Sequence, residues 1–368
     1  RAAVLRTESP ETSVGLALVA IDLANRATEM LCRHYTEQRL SFRRSRTPRL
    51  PVFLGCRLSQ IPADEAAYCS AFNAVLMDTT WRSLEPRDGE YEWTPLDGLI
   101  TWAQQRGLAI LGGPLIDLSH NRMPDWLKSW SGDLLNLQSF AADFVETVVG
   151  QFVGRVRHWE VVTGANRGGV SELDEEQRIN LVVRAISAAR QVDEHIQISL
   201  RVVQPWGEYL SETENHLSPI QFVDTLRRCG VGIGEINLEL QVSTEPSRNL
   251  WRDSLSLSQL LDQWAILQLP INVMLRVPES LPPCPRHRSN DPDVDQCRRL
   301  EDIQVAWLQN TVMMCLSKER VVGVYYLDWQ DGMPAGAPTG LKRPDGTNRP
   351  VLDMLTAMQQ TFWDGRHN

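Results

Sequence analysis

What the 368-residue chain lacks narrows its chemistry first. It has no Cys-x-x-Cys pair, no zinc-ligand spacing and no glycine-rich phosphate loop, so neither a metal nor an organic cofactor is expected. Its seven cysteines (Cys32, Cys56, Cys69, Cys229, Cys284, Cys297 and Cys315) are widely spaced, and most fall in apolar helix or strand patterns. That placement suits buried thiols rather than a disulfide framework; Cys284 and Cys297 flank a Pro-rich loop and are the pair positioned to bridge. No apolar run reaches the length of a membrane span. Basic residues are outnumbered, 37 Lys and Arg against 46 Asp and Glu, for a net charge of −9. A nucleic-acid groove is therefore not expected, and the basic stretch from Arg39 to Arg49 reads as a solvated helix end. No short internal repeat is present. Compartment and oligomeric state are not legible in a chain that begins at Arg1 rather than Met, and an upstream segment has room to precede it.

What is present is a long alternation. Hydrophobic content of 42% over this length supports one large core or two smaller ones. A first helix is predicted from Val14 to about Arg44, with Leu16, Val19, Leu23, Ala27, Met30 and Leu31 near a 3.6-residue period. Strand-like runs follow at Val52–Leu58, Ala74–Asp78, Ala109–Leu115, Val156–Val162, Ile196–Val202, Glu235–Gln241, Ile271–Val277 and Val321–Leu327. Helical patterns separate them, entered at Thr94-Pro95 and Ser218-Pro219 and closed at Gly230 in one case. Eight strands each followed by a helix is the count of a (β/α)8 barrel, although an open doubly wound sheet shows the same alternation. The expected organisation is an N-terminal helical extension over residues 1–50 and a barrel over 51–368.

Several motifs in order favour the barrel. The run Trp159-Glu160-Val161-Val162-Thr163-Gly164-Ala165 resembles the fourth strand of the family 10 glycoside hydrolases, which reads Trp-Asp-Val-Val-Asn-Glu-Ala. Phe72-Asn73-Ala74, then Trp81 and Leu84-Glu85-Pro86, then Gly89 and Trp93, is similar to that family's second strand and its exit. Met123-Pro124-Asp125-Trp126-Leu127 resembles its Leu-Pro-x-Trp-Leu after strand three, Phe222–Glu235 its approach to strand six, and Gly323-Val324 with Asp331 its eighth strand. The resemblance runs from about Pro51 to the end and implies a (β/α)8 TIM barrel with an extra N-terminal helix, directed at a polysaccharide or oligosaccharide such as xylan.

The same alignment puts unexpected residues at the working positions. Gly164 stands where the family has its acid/base Glu, and Leu275 where it has its nucleophile; a shift of one residue brings Met274 or Arg276 there instead, still no carboxylate. Gly113 and Asp117 fall where strand three carries a His and a Trp, Arg201 and Val203 on an Asn and a Tyr, Glu239 and Gln241 on a Gln and a His. On strand eight Leu327 takes the place of a Trp, with Trp329 displaced by two. A retaining mechanism needs two carboxylates about 5 Å apart across the glycosidic bond, and the family's own pair is not expected to operate here.

Strand six offers a replacement. In Glu235-Ile236-Asn237-Leu238-Glu239-Leu240-Gln241 polar and apolar residues alternate, so with helices outside the barrel the polar face must look inward. A charge inside a barrel is costly unless paired or hydrated, which makes Glu239 a candidate. The same parity is expected to turn His158, Glu160 and Gly164 inward on strand four and Ser199 and Arg201 on strand five, with Asp117 and Arg276 nearer the mouth.

Each of these has a plain structural alternative. Glu160 replaces a framework Asp and Arg201 suits it as an ion-pair partner. Asp117 has the type and place of a turn-capping residue. Glu208 and Trp206, after Gln204 on the loop beyond strand five, are suited either to a sugar-binding rim or to packing of the loop itself, and Trp329 and Asp331 divide the same way. Trp102, Trp264 and Trp307 are expected in the core.

Two functions follow. One is a glycoside hydrolase with a relocated constellation: Glu239 as one catalytic carboxylate, Asp117, Glu208 or Asp331 as the second, and Arg201, Gln204, Trp206, Gln241, Arg276, Trp329 and Asp331 contacting substrate. The other is a barrel that holds a glycan, or serves as a scaffold through its N-terminal helix or its Pro- and Arg-rich insert at 282–299, and cuts nothing.

Overall fold

A computed structural model of the chain describes residues 10–118, 122–130, 133–169, 173–242, 251–280, 293–332 and 337–363. The strands are β1 (Phe53–Leu58), β2 (Ala74–Met77), β3 (Ala109–Gly112, resuming at Ile116–Asp117), β4 (His158–Thr163), β5 (Gln197–Val202), β6 (Glu235–Gln241), β7 (Ile271–Arg276) and β8 (Val321–Tyr326). All pair in parallel with their sequence neighbours. The ring closes where β1 pairs with β8; the first segment of β3 also pairs with β4, at Leu111↔His158 and Gly112↔Trp159. The expected (β/α)8 barrel is therefore the fold, and an open sheet is excluded. Within the predicted run, β3 breaks after Gly112 and resumes at Ile116.

The helices are α1 (Pro10–Arg46), α2 (Glu65–Ala71), α3 (Trp81–Leu84), α4 (Thr94–Gln105), α5 (Leu134–Gln151), α6 (Glu175–Val192), α7 (Pro219–Arg228), α8 (Ser254–Ala265), α9 (Asp293–Ser317) and α10 (Pro350–Phe362). Side-chain caps fix several starts. Asp174 and Ser218 form reciprocal capping boxes with Gln177 and Gln221, and Asp64, Asp133 and Asp253 each accept a backbone N–H of the first turn. Thr94-Pro95 opens α4 with no such side-chain bond. The core is the layer between the outer strand faces and these helices, with Trp81, Trp159, Trp264 and Tyr68 among its largest fully buried members.

The N-terminal helix is joined to the barrel through its second half. Cys32, Thr36 and Leu40 are buried at four-residue spacing, and the Thr36 hydroxyl lies 3.7 Å from the Met314 sulfur on α9. Part of the basic stretch does more than sit in solvent: Arg43 donates to the carbonyls of Leu316 (2.5 Å) and Lys318 (3.0 Å), satisfying the open end of α9. Glu29 reaches the start of α8, where it accepts from the Ser254 backbone N–H (2.9 Å) and hydroxyl (2.6 Å). Cys32, Cys56 and Cys315 are buried free thiols as expected, whereas Cys229 is exposed. Cys284 and residues 281–292 of the Pro-rich insert lie outside the described residues. Among the described residues no helix is long and apolar enough to cross a membrane and no cluster of metal-ligand type occurs.

Candidate functional site in the barrel interior and mouth

The interior divides into two halves. Ala74, Leu76, Leu111, Met274, Tyr325 and Leu327 form an apolar cluster inside β2, β3, β7 and β8, separate from the main core. The other half is polar. On β6 the predicted alternation holds: Ile236, Leu238 and Leu240 face the helices in the main core, and Asn237 and Glu239 face the axis.

Arg201 on β5 sits between two carboxylates. Its guanidinium lies 2.9 Å from Glu160 and 3.2 Å from Glu239, with Glu160 fully buried, Arg201 4% exposed and the Glu239 side chain 17% exposed. Hydrogen bonds extend this pair toward the strand starts. Asn237 donates to Glu160 (2.5 Å) and Ser199 (3.0 Å), and Asn272 donates to Asn237 (2.9 Å) and Glu235 (2.8 Å). His158 lies 3.8 Å from Glu235 at the N-terminal end, beside a cavity of about 260 Å³ lined in part by Phe53, Arg157 and Tyr325. Burial pushes the Glu160 carboxyl above the usual carboxylate range, although Arg201 and Asn237 pull it down. Burial would weaken the Arg201 guanidinium, but Glu160 and Glu239 outweigh it and raise its proton affinity.

A second group of ion pairs surrounds the C-terminal mouth, and strand reading had missed most of it. Asp328, just beyond β8, is held by Arg276 (2.9 Å), Arg57 (3.3 Å) and the Thr339 hydroxyl (2.8 Å). Arg122 lies 3.6 Å from both Asp78 and Asp117. Burial favours a protonated Asp78, yet Arg57 and Arg122 hold it below the ordinary carboxylate range. Arg57 and Asp78 were visible in principle: each continues the inward parity of its strand, from Gly55 on β1 and from Leu76 on β2.

One parity expectation needs correction. A β-bulge between Glu160 and Val162 shifts the register of β4, so Thr163, not Gly164, shares a rung with Arg201 and Asp117. Gly164 follows the strand end at φ 77°, a left-handed conformation that favours glycine. On β7 Leu275 belongs to the outer core, and the axis side carries Met274 and Arg276.

The structure divides the remaining candidates. Arg201, Glu239, Asp117 and Arg276 do come together around the axis, and Gln241 shares a rung with Arg276. Gln204 is buried in the turn after β5 at φ 47°, its carbonyl accepting from the Gly207 N–H (2.8 Å). Trp206 and Glu208 turn elsewhere: Arg252 stands 5.6 Å over the Trp206 ring and 3.3 Å from Glu208. Trp206 lines a cavity that also touches Leu240, hence on the outer side of the β6 wall. Trp329 packs edge-on against Tyr68 (5.2 Å) and Phe72 (6.4 Å) behind β1 and β2, away from the axis. Asp331 accepts from Arg349 (2.6 Å) and the Gly340 N–H (2.8 Å), tying the loop after β8 to the start of α10. Trp102 and Trp264 are core residues as expected, whereas Trp307 is only half-buried and lines the outer cavity.

This architecture, with polar and charged side chains converging at the C-terminal strand ends, defines a (β/α)8 barrel. Comparison with known proteins gives the likeness: residues 56–236, just under half of the chain, match the family model described as Glycosyl hydrolase family 10. Endo-1,4-beta-xylanase 3 of Hypocrea jecorina is 34% identical over 120 residues, 31% of this chain, so the match spans about a third (33%) of that relative's length. An endo-1,4-beta-xylanase of Agaricus bisporus is 23% identical over 257 residues, 68% of this chain and 69% of its own. Among solved structures, a family 10 endoxylanase from a sugarcane soil metagenome superposes with TM-score 0.65 at 15% identity, covering 83% of this chain and 97% of that one. Native xylanase 10B of Thermotoga maritima superposes with TM-score 0.61 at 18% identity, covering 86% and 97%. At such identities the structural likeness establishes the fold.

Proposed function

We propose that the chain is a carbohydrate-directed barrel whose mouth holds a β-linked glycan and that it does not cut it by the two-carboxylate route. The carrying observation is the state of Glu160. Glycoside hydrolysis needs a carboxyl that keeps its proton at working pH and can reach the glycosidic oxygen. Glu160 is a carboxyl that burial raises, but it is fully buried against Arg201 and Asn237, out of reach of a glycosidic oxygen. The mouth carboxylates Asp78, Asp117, Glu239 and Asp328 are each engaged by an arginine. Alternating guanidinium and carboxylate groups suit the hydroxyls of a sugar chain, which both donate and accept.

The second reading is a hydrolase with relocated carboxylates. It is favoured by the partial exposure of Glu239 (17%) and Asp117 (11%), on well-separated strands β6 and β3 of the ring. Direct displacement by water needs a separation of about 6.5–9.5 Å. One experiment separates the two: product release from β-xylans and β-glucans by the wild type and Glu239→Gln, beside affinity electrophoresis in the same polysaccharides. The binding barrel gives no reducing ends from either protein but retarded migration of the wild type. Release by the wild type that Glu239→Gln abolishes would establish the hydrolase instead.

A further inference from the structure

Beyond the mouth, we infer that the cavity on the outer side of the β6 wall is a second saccharide site, which holds one pyranose ring against tryptophan. This inference rests on the reading of the protein as carbohydrate-directed. Three tryptophans from separate elements meet there: Trp206 on the loop after β5, Trp251 ahead of α8 and Trp307 on α9. All three are half-buried and line the hollow. The cavity measures about 250 Å³, below the usual size of pockets for drug-sized ligands, which matches one ring and not an extended chain.

The polar groups narrow the ligand. The Trp251 indole N–H is buried and has no acceptor among the described residues, an exception that a ligand hydroxyl or ring oxygen would remove. Asn310 and Thr311, on the same helix as Trp307, supply donors and acceptors at the edge; Asn310 is exposed and Thr311 buried. A cation is disfavoured because the Trp206 face already carries the Arg252 guanidinium at 5.6 Å. That charge is itself paired with Glu208 at 3.3 Å, so an anion gains little either. A neutral ring with an apolar C–H face and hydroxyl edges fits what is left. The site is also built and not incidental to a loose helix. Glu29 of α1 bonds both the backbone and the side chain of Ser254, so the long N-terminal helix clamps one wall in place.

The test uses the full chain and neutral oligosaccharides, xylotriose and cellotriose, titrated by calorimetry and by tryptophan fluorescence. Trp307→Ala removes a stacking face, Trp251→Phe keeps a ring but deletes the unpartnered N–H, and Asn310→Ala trims the rim. Gln241→Ala perturbs the mouth alone. The expected result is a loss of about tenfold in affinity for Trp307→Ala and about threefold for the two milder variants, with this binding phase retained in Gln241→Ala. Should Trp307→Ala not fold, Asn310→Ala carries the test, because its side chain is exposed. Oligosaccharide binding unchanged in all three outer variants would overturn the inference. If Gln241→Ala alone abolished binding, the outer site would fall while the mouth reading stood. No binding of either sugar by the wild type would count against both.

Discussion

Replacing Arg201 by methionine keeps most of the side chain's length and removes the charge that joins Glu160 to Glu239. Arg201 is 4% exposed and Glu160 fully buried, at 2.9 Å, so the variant leaves an uncompensated carboxylate in the wall. Breaking such a pair from one side costs about 3–5 kcal/mol. With an unfolding entropy of about 2.1 cal/mol/K per residue over a chain of this length, that is a fall in Tm of roughly 4–7 °C at neutral pH. The pH dependence has a definite sign. Burial holds the folded Glu160 carboxyl above its unfolded value, while Arg201 is the strongest influence lowering it. The folded state therefore binds this proton more tightly than the unfolded one, and the group subtracts stability as pH rises from the unfolded value through the folded one. Without Arg201 the folded value rises further and that window widens. The penalty should be larger at pH 7.5 than near pH 5, because protonating Glu160 removes the uncompensated charge. Thermal melts of wild type, Arg201→Met, Glu160→Gln and the double variant at both pH values would measure it, with the double variant recovering part of the loss at pH 7.5. An equal fall in Tm at the two pH values, or a double variant no better than Arg201→Met, would refute this account of the network.

Three other outcomes follow from the geometry. Asp328→Ala strands Arg276 and Arg57, both side chains 10% exposed, and should cost about 3–5 kcal/mol in urea denaturation. Gly113→Ala should cost about 3 kcal/mol or more by the same measurement, because a Cβ there would stand 2.4 Å from the Glu160 carbonyl oxygen on a backbone at φ 129°. Asp174→Ala, which breaks a complete capping box at the start of α6, should cost only about 1 kcal/mol and speed amide exchange in that first turn.

Helix and strand succession was legible in the residues because it depends on local periodicity and caps. The alternation Ile236, Leu238, Leu240 against Asn237 and Glu239 is enough to say which face of β6 meets the axis, since a closed barrel wrapped in helices has one polar side to offer. The meeting of Arg201 with Glu160 and Glu239 followed from the same parity. Parity fails where the backbone gains a residue. The bulge at β4 turned Thr163 toward the axis in place of Gly164, and no composition signal marks it, because it is set by pairing with β5. Tertiary structure alone decided which loop residues face the mouth. Trp206, Glu208, Trp329 and Asp331 all lie just beyond strand ends, where sequence position says only that they are near the top of the barrel. Their directions come from partners distant in the chain: Arg252 draws Trp206 and Glu208 outward, Tyr68 and Phe72 take Trp329, and Arg349 takes Asp331. The mouth's ion pairs have the same origin, for Arg57 and Asp328 stand 271 residues apart and meet because the barrel closes β1 against β8.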